Sequence, residues 1–212
     1  MTTMWTVRRL MVPAILGVAV LSVTTATTAS AAQLAPGAAE KPGPAAHEGS
    51  LGPLGPLTDL VIQRLRVSDQ VAAAKFGTGL PIDDPAREQQ ELAAVRQSAV
   101  ALGISPDTTV SFFQQQITAS KMVQRGLFER WTEHPDQAPT SRPDLGTIRT
   151  ELDQLTTELL QQLVAQQPVL SHEFRCRIDL RLAAATGELL GHLDALHRHA
   201  LRVALSQTCT GW

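Results

Sequence analysis

The chain of 212 residues has no tyrosine, and aromatic side chains make up only 4% of it. A core must therefore be filled mainly by leucine, valine and alanine, a composition that favours helices. No stretch of alternating apolar and polar residues reads as a strand, and no internal repeat is present. Cysteine occurs twice, at Cys176 and Cys209, so no second pair supplies the remaining ligands of a zinc site. No Ser/His/Asp elbow, Gly-rich phosphate loop or zinc spacing appears. Charge is nearly balanced, 18 Lys+Arg against 20 Asp+Glu, and nothing in it suggests nucleic acid. Lysine is scarce: Lys41, Lys75 and Lys121 are the only three.

The first 32 residues carry Arg8 and Arg9, an apolar run from Leu10 to Val23 and the small-residue string TTATTASAA. They read as a secretory signal peptide cleaved near Ala31 or Ala32, the apolar run being too short for a comfortable membrane span. Its removal leaves 16 basic against 20 acidic side chains, a net charge of −4. The expectation is a secreted or periplasmic protein with no membrane attachment in its mature form. Ten of the 23 residues from 34 to 56 are Pro or Gly, which predicts a flexible linker over 33–56. The remainder, 57–212, reads as one all-α domain, a bundle of five main helices.

The punctuation of those helices is legible. The first runs over 58–76 and ends in GTG. In LPIDDP, Asp84 is the N-cap and Pro85 the first helical residue of a second helix, which Gly103 stops. Ser105 and Pro106 open a third in the same way, running to about Trp131. A fourth covers 145–167, closed by Pro168, and a fifth covers 172–206. An even cysteine count in an exported chain predicts a Cys176–Cys209 disulfide. A helix of about 30 residues rises about 45 Å, whereas disulfide-bonded Cα atoms lie within about 7 Å. The fifth segment must therefore break near Gly187 or Gly191, or the chain beyond Leu205 must return along it.

Two helices place polar groups where apolar ones belong. On the first, Leu60, Val61, Leu65, Val67, Val71, Ala72 and Ala74 define the buried arc. At about 100° per residue, Lys75 falls about 20° from Arg64, and both lie inside that arc with Ser68. The two cations are about 16 Å apart along the axis, close enough for long side chains to converge on one small ligand. On the third helix Gln116, Ser120 and Gln124 lie inside the arc of Phe113, Ile117, Val123, Leu127 and Trp131. A buried charge or hydrogen-bonding group costs several kcal/mol without a partner. No acidic residue occupies the buried face of either helix, so the expected partner is an anionic ligand. Arg87, in the first turn of the second helix, opposes the helix dipole and is an odd choice for stability alone. Arg149 sits on the flank of the Leu145, Leu152, Leu159 and Leu163 stripe. His192, His197 and His199 have spacings that put no clean pair on one face, so they read as surface histidines rather than a metal site.

These residues resemble the secreted, all-α chorismate mutases of bacteria. The likeness covers 57–209 and rests on R-x10-K in RLRVSDQVAAAK, the LPIDDPARE turn, the ITASKMVQ and PDLGTIR segments, and the cysteine spacing. It implies that Arg64, Arg149 and Lys75 grip the two carboxylates of chorismate and that Lys75 also reaches the ether oxygen of the breaking bond. Arg87 would support the carboxylate network, Glu88 and the backbone near Asp84 would receive the ring hydroxyl, Ser120 would bond a carboxylate, and Gln124 would be the second donor to the ether oxygen. Some secreted members carry Thr and Glu where Ser120 and Gln124 stand, and certain members have Gln where this chain has Glu91. Dimerisation is implied by the resemblance alone. The implied reaction, a pericyclic conversion to prephenate, uses no nucleophile and no proton transfer, and requires no metal or organic cofactor. The alternative from another class is a secreted helical binding protein that retains a dicarboxylate pocket without catalysis. Retention of Lys75 together with Gln124 argues against it, because binding carboxylates needs no ether-directed pair.

Overall fold

The structure is a computed structural model and describes residues 49–212. The signal segment, its cleavage site and the linker up to residue 48 lie outside the described residues. Within them the chain forms seven α-helices and no strand: α1 Gly55–Lys75, α2 Pro85–Leu102, α3 Pro106–Glu133, α4 Leu145–Ala165, α5 Gln167–Leu170, α6 Glu173–Leu190 and α7 Ala195–Ala204. A single 3-10 turn, Pro135–Gln137, follows α3.

The helix starts follow the sequence chemistry. Asp84 caps α2 by accepting from the Arg87 backbone N–H at 3.1 Å, with Pro85 in the first turn. Ser105 caps α3 through Thr108, and Asp144 caps α4 through Thr147. Each cap satisfies one of the amide groups a helix start leaves unpaired. Gly103 ends α2 at φ 71, a left-handed conformation that favours glycine.

Helix α1 is the spine and packs against α3, α4, α6 and α7. Its apolar arc, with Leu57, Val61, Leu65 and Ala72, meets Phe112, Phe113, Val123, Leu159, Leu163 and Leu201 in one core. Val67, Ala74, Ile148 and Leu155 form a smaller cluster between α1 and α4. The folded body begins earlier than the linker boundary at residue 56 implies. Leu54 is fully buried, α1 starts at Gly55, and Asp59 binds the Ser50 hydroxyl at 2.5 Å and its backbone N–H at 3.0 Å. Pro56, counted with the linker by composition, stands in the first turn of α1, where proline favours a helix start.

The fifth segment bends as the disulfide requires. Cys176 is bonded to Cys209, with Cα atoms 5.6 Å apart. Helix α6 ends at Leu190, the chain reverses through Gly191 and His192 (φ 49), and Asp194 caps α7. Gly187 is not the break. It lies inside α6 where a Cβ would sit 2.4 Å from the Ser50 hydroxyl and 2.8 Å from Ile62, so its role is close approach to α1. Nor does Pro168 simply close α4, which stops at Ala165; Pro168 starts the short α5.

Candidate active site

The α1 wall is built on Arg64, the one charged residue among the buried polar side chains of the described core, 4% exposed. The sequence reading left it without a protein partner, and the structure corrects this. Its guanidinium donates to Leu152 O at 3.2 Å and Thr156 Oγ1 at 2.9 Å on α4, and it forms an ion pair with Glu91 of α2. Phe113 of α3 lies beneath it, ring centroid 5.9 Å from the guanidinium carbon, within cation–π range. The acid is absent from α1 and α3, as the helical wheels imply, but a third helix supplies it. Wheels report one helix at a time.

One turn further along α1, Ser68 is fully buried and donates to Ser120 Oγ of α3 at 2.8 Å. Ser120 Oγ in turn accepts from Gln124 Nε2 at 3.2 Å, so a hydroxyl–hydroxyl–amide chain crosses from α1 to α3. Gln124 is 4% exposed, and its Oε1 has no partner. An orphaned amide oxygen in a dry seam has a desolvation cost of about 1 to 3 kcal/mol. A carboxamide can turn over about its last torsion with little change in shape, which would present its NH2 to that same space. Gln116 does not belong to the seam: its Nε2 donates to Ala204 O of α7 at 2.9 Å, although its Oε1, like that of Gln124, has no partner.

Lys75 is the last residue of α1, half-buried, and donates to Ile82 O at 3.3 Å in the turn before α2. Phe76 anchors this end of the helix by edge contacts with Phe128 and Trp131 of α3, each 5.3 Å between centroids. Burial holds the Lys75 ammonium below the usual lysine value; Asp84, Asp83 and Glu88 oppose that, while Arg149 adds to it. Arg149 on α4 is exposed yet near enough to be felt electrostatically, so the two cations share one region.

At the mouth, Glu88 accepts from the Asp84 backbone N–H at 3.4 Å and holds Lys121 of α3 at 2.9 Å. Lys121 also reaches Asp83 at 3.3 Å, and Arg125 holds Asp83 at 2.8 Å. The Glu88 bond raises the Lys121 pKa above the ordinary lysine value. The LPIDDPARE turn is therefore clamped to α3 by two cations that the sequence reading did not single out. Their signal was weak: about 100° from Ser120 on the wheel, Lys121 looks like a flank charge, and its partners lie about 33 to 38 residues away. Arg87 is half-buried and lines a crevice of about 430 Å³ between α2 and α4, with Glu91, Ser98, Asp153 and Thr156.

Nothing in this arrangement is a nucleophile activated by a base, and among the described residues no group of His, Cys, Asp and Glu could hold a metal ion. What the helices assemble is a set of cations and neutral donors with uneven internal pairing. Such a set of groups suits an anionic ligand.

The comparisons agree with that reading. Residues 56–125, spanning α1, α2 and most of α3, match the family model Chorismate mutase type II. The chain is 39% identical over 166 residues to a protein named secreted chorismate mutase from Mycolicibacterium smegmatis, covering 78% of this chain and 91% of that one. It is 33% identical to a protein of the same name from Mycobacterium tuberculosis, over 78% of this chain and 83% of the relative. The crystal structure of chorismate mutase from Burkholderia phymatum superposes with a TM-score of 0.71 at 32% identity, over 75% of this chain and 97% of that one. The chain belongs to the all-α chorismate mutase family.

Proposed function

We propose that the polar seam of α1 and α3, with the flanking residues of α2 and α4, binds chorismate and rearranges it to prephenate in an exported enzyme, with no metal or organic cofactor. Membership of the family supports the reaction, and the relatives named as secreted support export. The observation that carries the site is the buried polar seam. Arg64 and Lys75 lie on one face of α1, opposite the Ser120–Gln124 pair whose amide oxygen has no partner.

The rearrangement breaks a carbon–oxygen bond and forms a carbon–carbon bond in one pericyclic step, so the protein contributes conformation and field only. In this reading Arg64, Lys75 and Arg149 fix the two carboxylates and hold the substrate in its compact conformer, the proximity contribution to the barrier. As the ether bond lengthens, negative charge grows on its oxygen. Lys75, half-buried, and Gln124, buried, stabilise that charge more than they stabilise the ground state. Glu88 and the backbone at Asp84 receive the ring hydroxyl, Arg87 supports the carboxylate network, and Ser120 bonds a carboxylate and orients Gln124. The Lys121 clamp holds Glu88 in place for this.

The test is loss of the chorismate diene absorbance on adding purified mature protein. An unchanged rate would overturn the reading in favour of a dicarboxylate-binding protein. We also propose a homodimer, on the family resemblance and on the apolar stripe Phe174, Ile178, Leu182 and Leu189 exposed along α6. Sedimentation of the mature protein at monomer mass would reject it.

A further inference from the structure

Arg64 presents a problem if it binds a substrate carboxylate, because it already holds one. Its Nη1 is occupied by Leu152 O and Thr156 Oγ1, and its Nη2 by Glu91. Glu91 differs from the other partners in being free to leave. Its side chain is 28% exposed against 5% for Arg64, and it lines the open crevice between α2 and α4. Leu152 O is a helix carbonyl and Thr156 has a short side chain on α4, so Glu91, with the longest side chain of the three, has the most room to move.

We propose that Glu91 is a resident counter-anion for Arg64, which the substrate carboxylate displaces toward the crevice between α2 and α4. This rests on the functional reading above and deepens it. In the empty enzyme the pair neutralises a guanidinium buried in the core, where an unpaired charge is strongly unfavourable, and keeps it aimed. On binding, a second carboxylate approaches the same nitrogen, and two like charges on one donor repel. Glu91 therefore weakens substrate binding while preserving the geometry of the group that binds. A residue with those two effects sets KM, and a neutral isostere separates them. Glutamine offers Arg64 an uncharged amide oxygen in place of the carboxylate oxygen, whereas alanine offers nothing.

The crevice also carries Asp153, close to Thr156 on α4, and Arg87, one turn before Glu91 on α2. Arg87 gives the displaced Glu91 carboxylate a cation on its own helix face, at the i to i+4 spacing where such pairs meet.

The experiment is steady-state kinetics of chorismate loss for native enzyme, Glu91→Gln and Glu91→Ala, with equilibrium binding of prephenate by calorimetry as a second readout. For Glu91→Gln, KM and the prephenate Kd should fall about three- to tenfold, with the effect on KM rather than kcat. Glu91→Ala should lower kcat, because Arg64 loses its aim, and Gln should rescue what Ala loses. An unchanged or higher KM in Glu91→Gln, with native turnover intact, overturns the counter-anion role and leaves the functional reading standing. Absence of native turnover overturns the functional reading itself. Equal losses in Glu91→Gln and Glu91→Ala would show that Arg64 needs the charge, and would also overturn the proposal.

Discussion

At the scale of the residue, Gln124 and Lys75 make the sharpest claims. A glutamate in place of Gln124 could donate to an ether oxygen only when protonated, whereas an amide donates at every pH. Native turnover should therefore vary little from about pH 5 through neutrality, since no glutamate with an ordinary value near 4.3 has to be protonated. Gln124→Glu should be depressed at neutral pH and recover in acid; a substituted enzyme with no acid recovery removes Gln124 from the ether contact. The upper limit belongs to Lys75. Burial lowers its pKa, so the ammonium is lost at a lower pH than for an ordinary lysine, and kcat/KM should decline there first because it reports the free enzyme. Lys75→Ala should raise the barrier by several kcal/mol, as for loss of a preorganised donor to developing charge; near-normal turnover in that variant would end the assignment. Lys75 was legible because it interrupts an apolar run. Glu91, Lys121 and Thr156 were not, because a partner on another helix leaves no trace in the periodicity of its own.

At the scale of the element, helix caps were readable and helix-to-helix clamps were not. Asp84, Ser105 and Gly103 announce themselves by local chemistry that needs no tertiary contact. His197 is the contrary case. Its spacing from His192 and His199 suggested a surface residue, yet its side chain is only 12% exposed. It bridges Asp69 of α1 at 2.9 Å and Asp194, the α7 cap, at 2.7 Å. The Asp69 hydrogen bond raises the His197 pKa above 6.5 despite opposing burial. Burial works against the Asp194 carboxylate, but the His197 backbone and ring hydrogen bonds prevail and bring it down to about 2. The signs give opposite windows. The raised histidine stabilises fully below its unfolded value of 6.5, and the contribution fades as pH rises through its higher folded value. The lowered aspartate contributes above 3.8 and loses that only as pH falls through about 2. Urea unfolding of native protein and His197→Ala at about pH 5.5 and 8.5 isolates the histidine. The gap between the two proteins should narrow by about 1 kcal/mol toward the alkaline side, as expected for charge-assisted hydrogen bonds partly reached by water. A constant gap would mean that the histidine titrates alike in the folded and unfolded chain and acts by packing alone.

At the scale of the whole molecule, the disulfide, the split of the last segment and export are one argument. The segment 172–206 is long enough that a straight helix would carry Cys176 and Cys209 far apart, and the reversal at Gly191–Asp194 returns α7 across α1 and α3. Cys176 is fully buried and Cys209 is 6% exposed, so the bond lies inside the core and not on its surface. Neither cysteine hydrogen-bonds to Arg64, Lys75, Ser120 or Gln124. A loop closed across 33 residues constrains the unfolded chain by about 3.5 to 4 kcal/mol on the chain-entropy account. For a domain of this size that corresponds to roughly 7 to 15 °C in Tm. The double variant Cys176→Ala with Cys209→Ala, which leaves no stray thiol and no buried hydroxyl, should lose that much in a thermal scan while turning over chorismate at close to the native rate at 25 °C. The same drop should follow from reducing the native protein, and only in the native protein. A Tm unchanged within about 2 °C would mean that packing alone holds the reversal. Intact folding with lost turnover would place the bond in the active site after all, transmitted through α7 into α3.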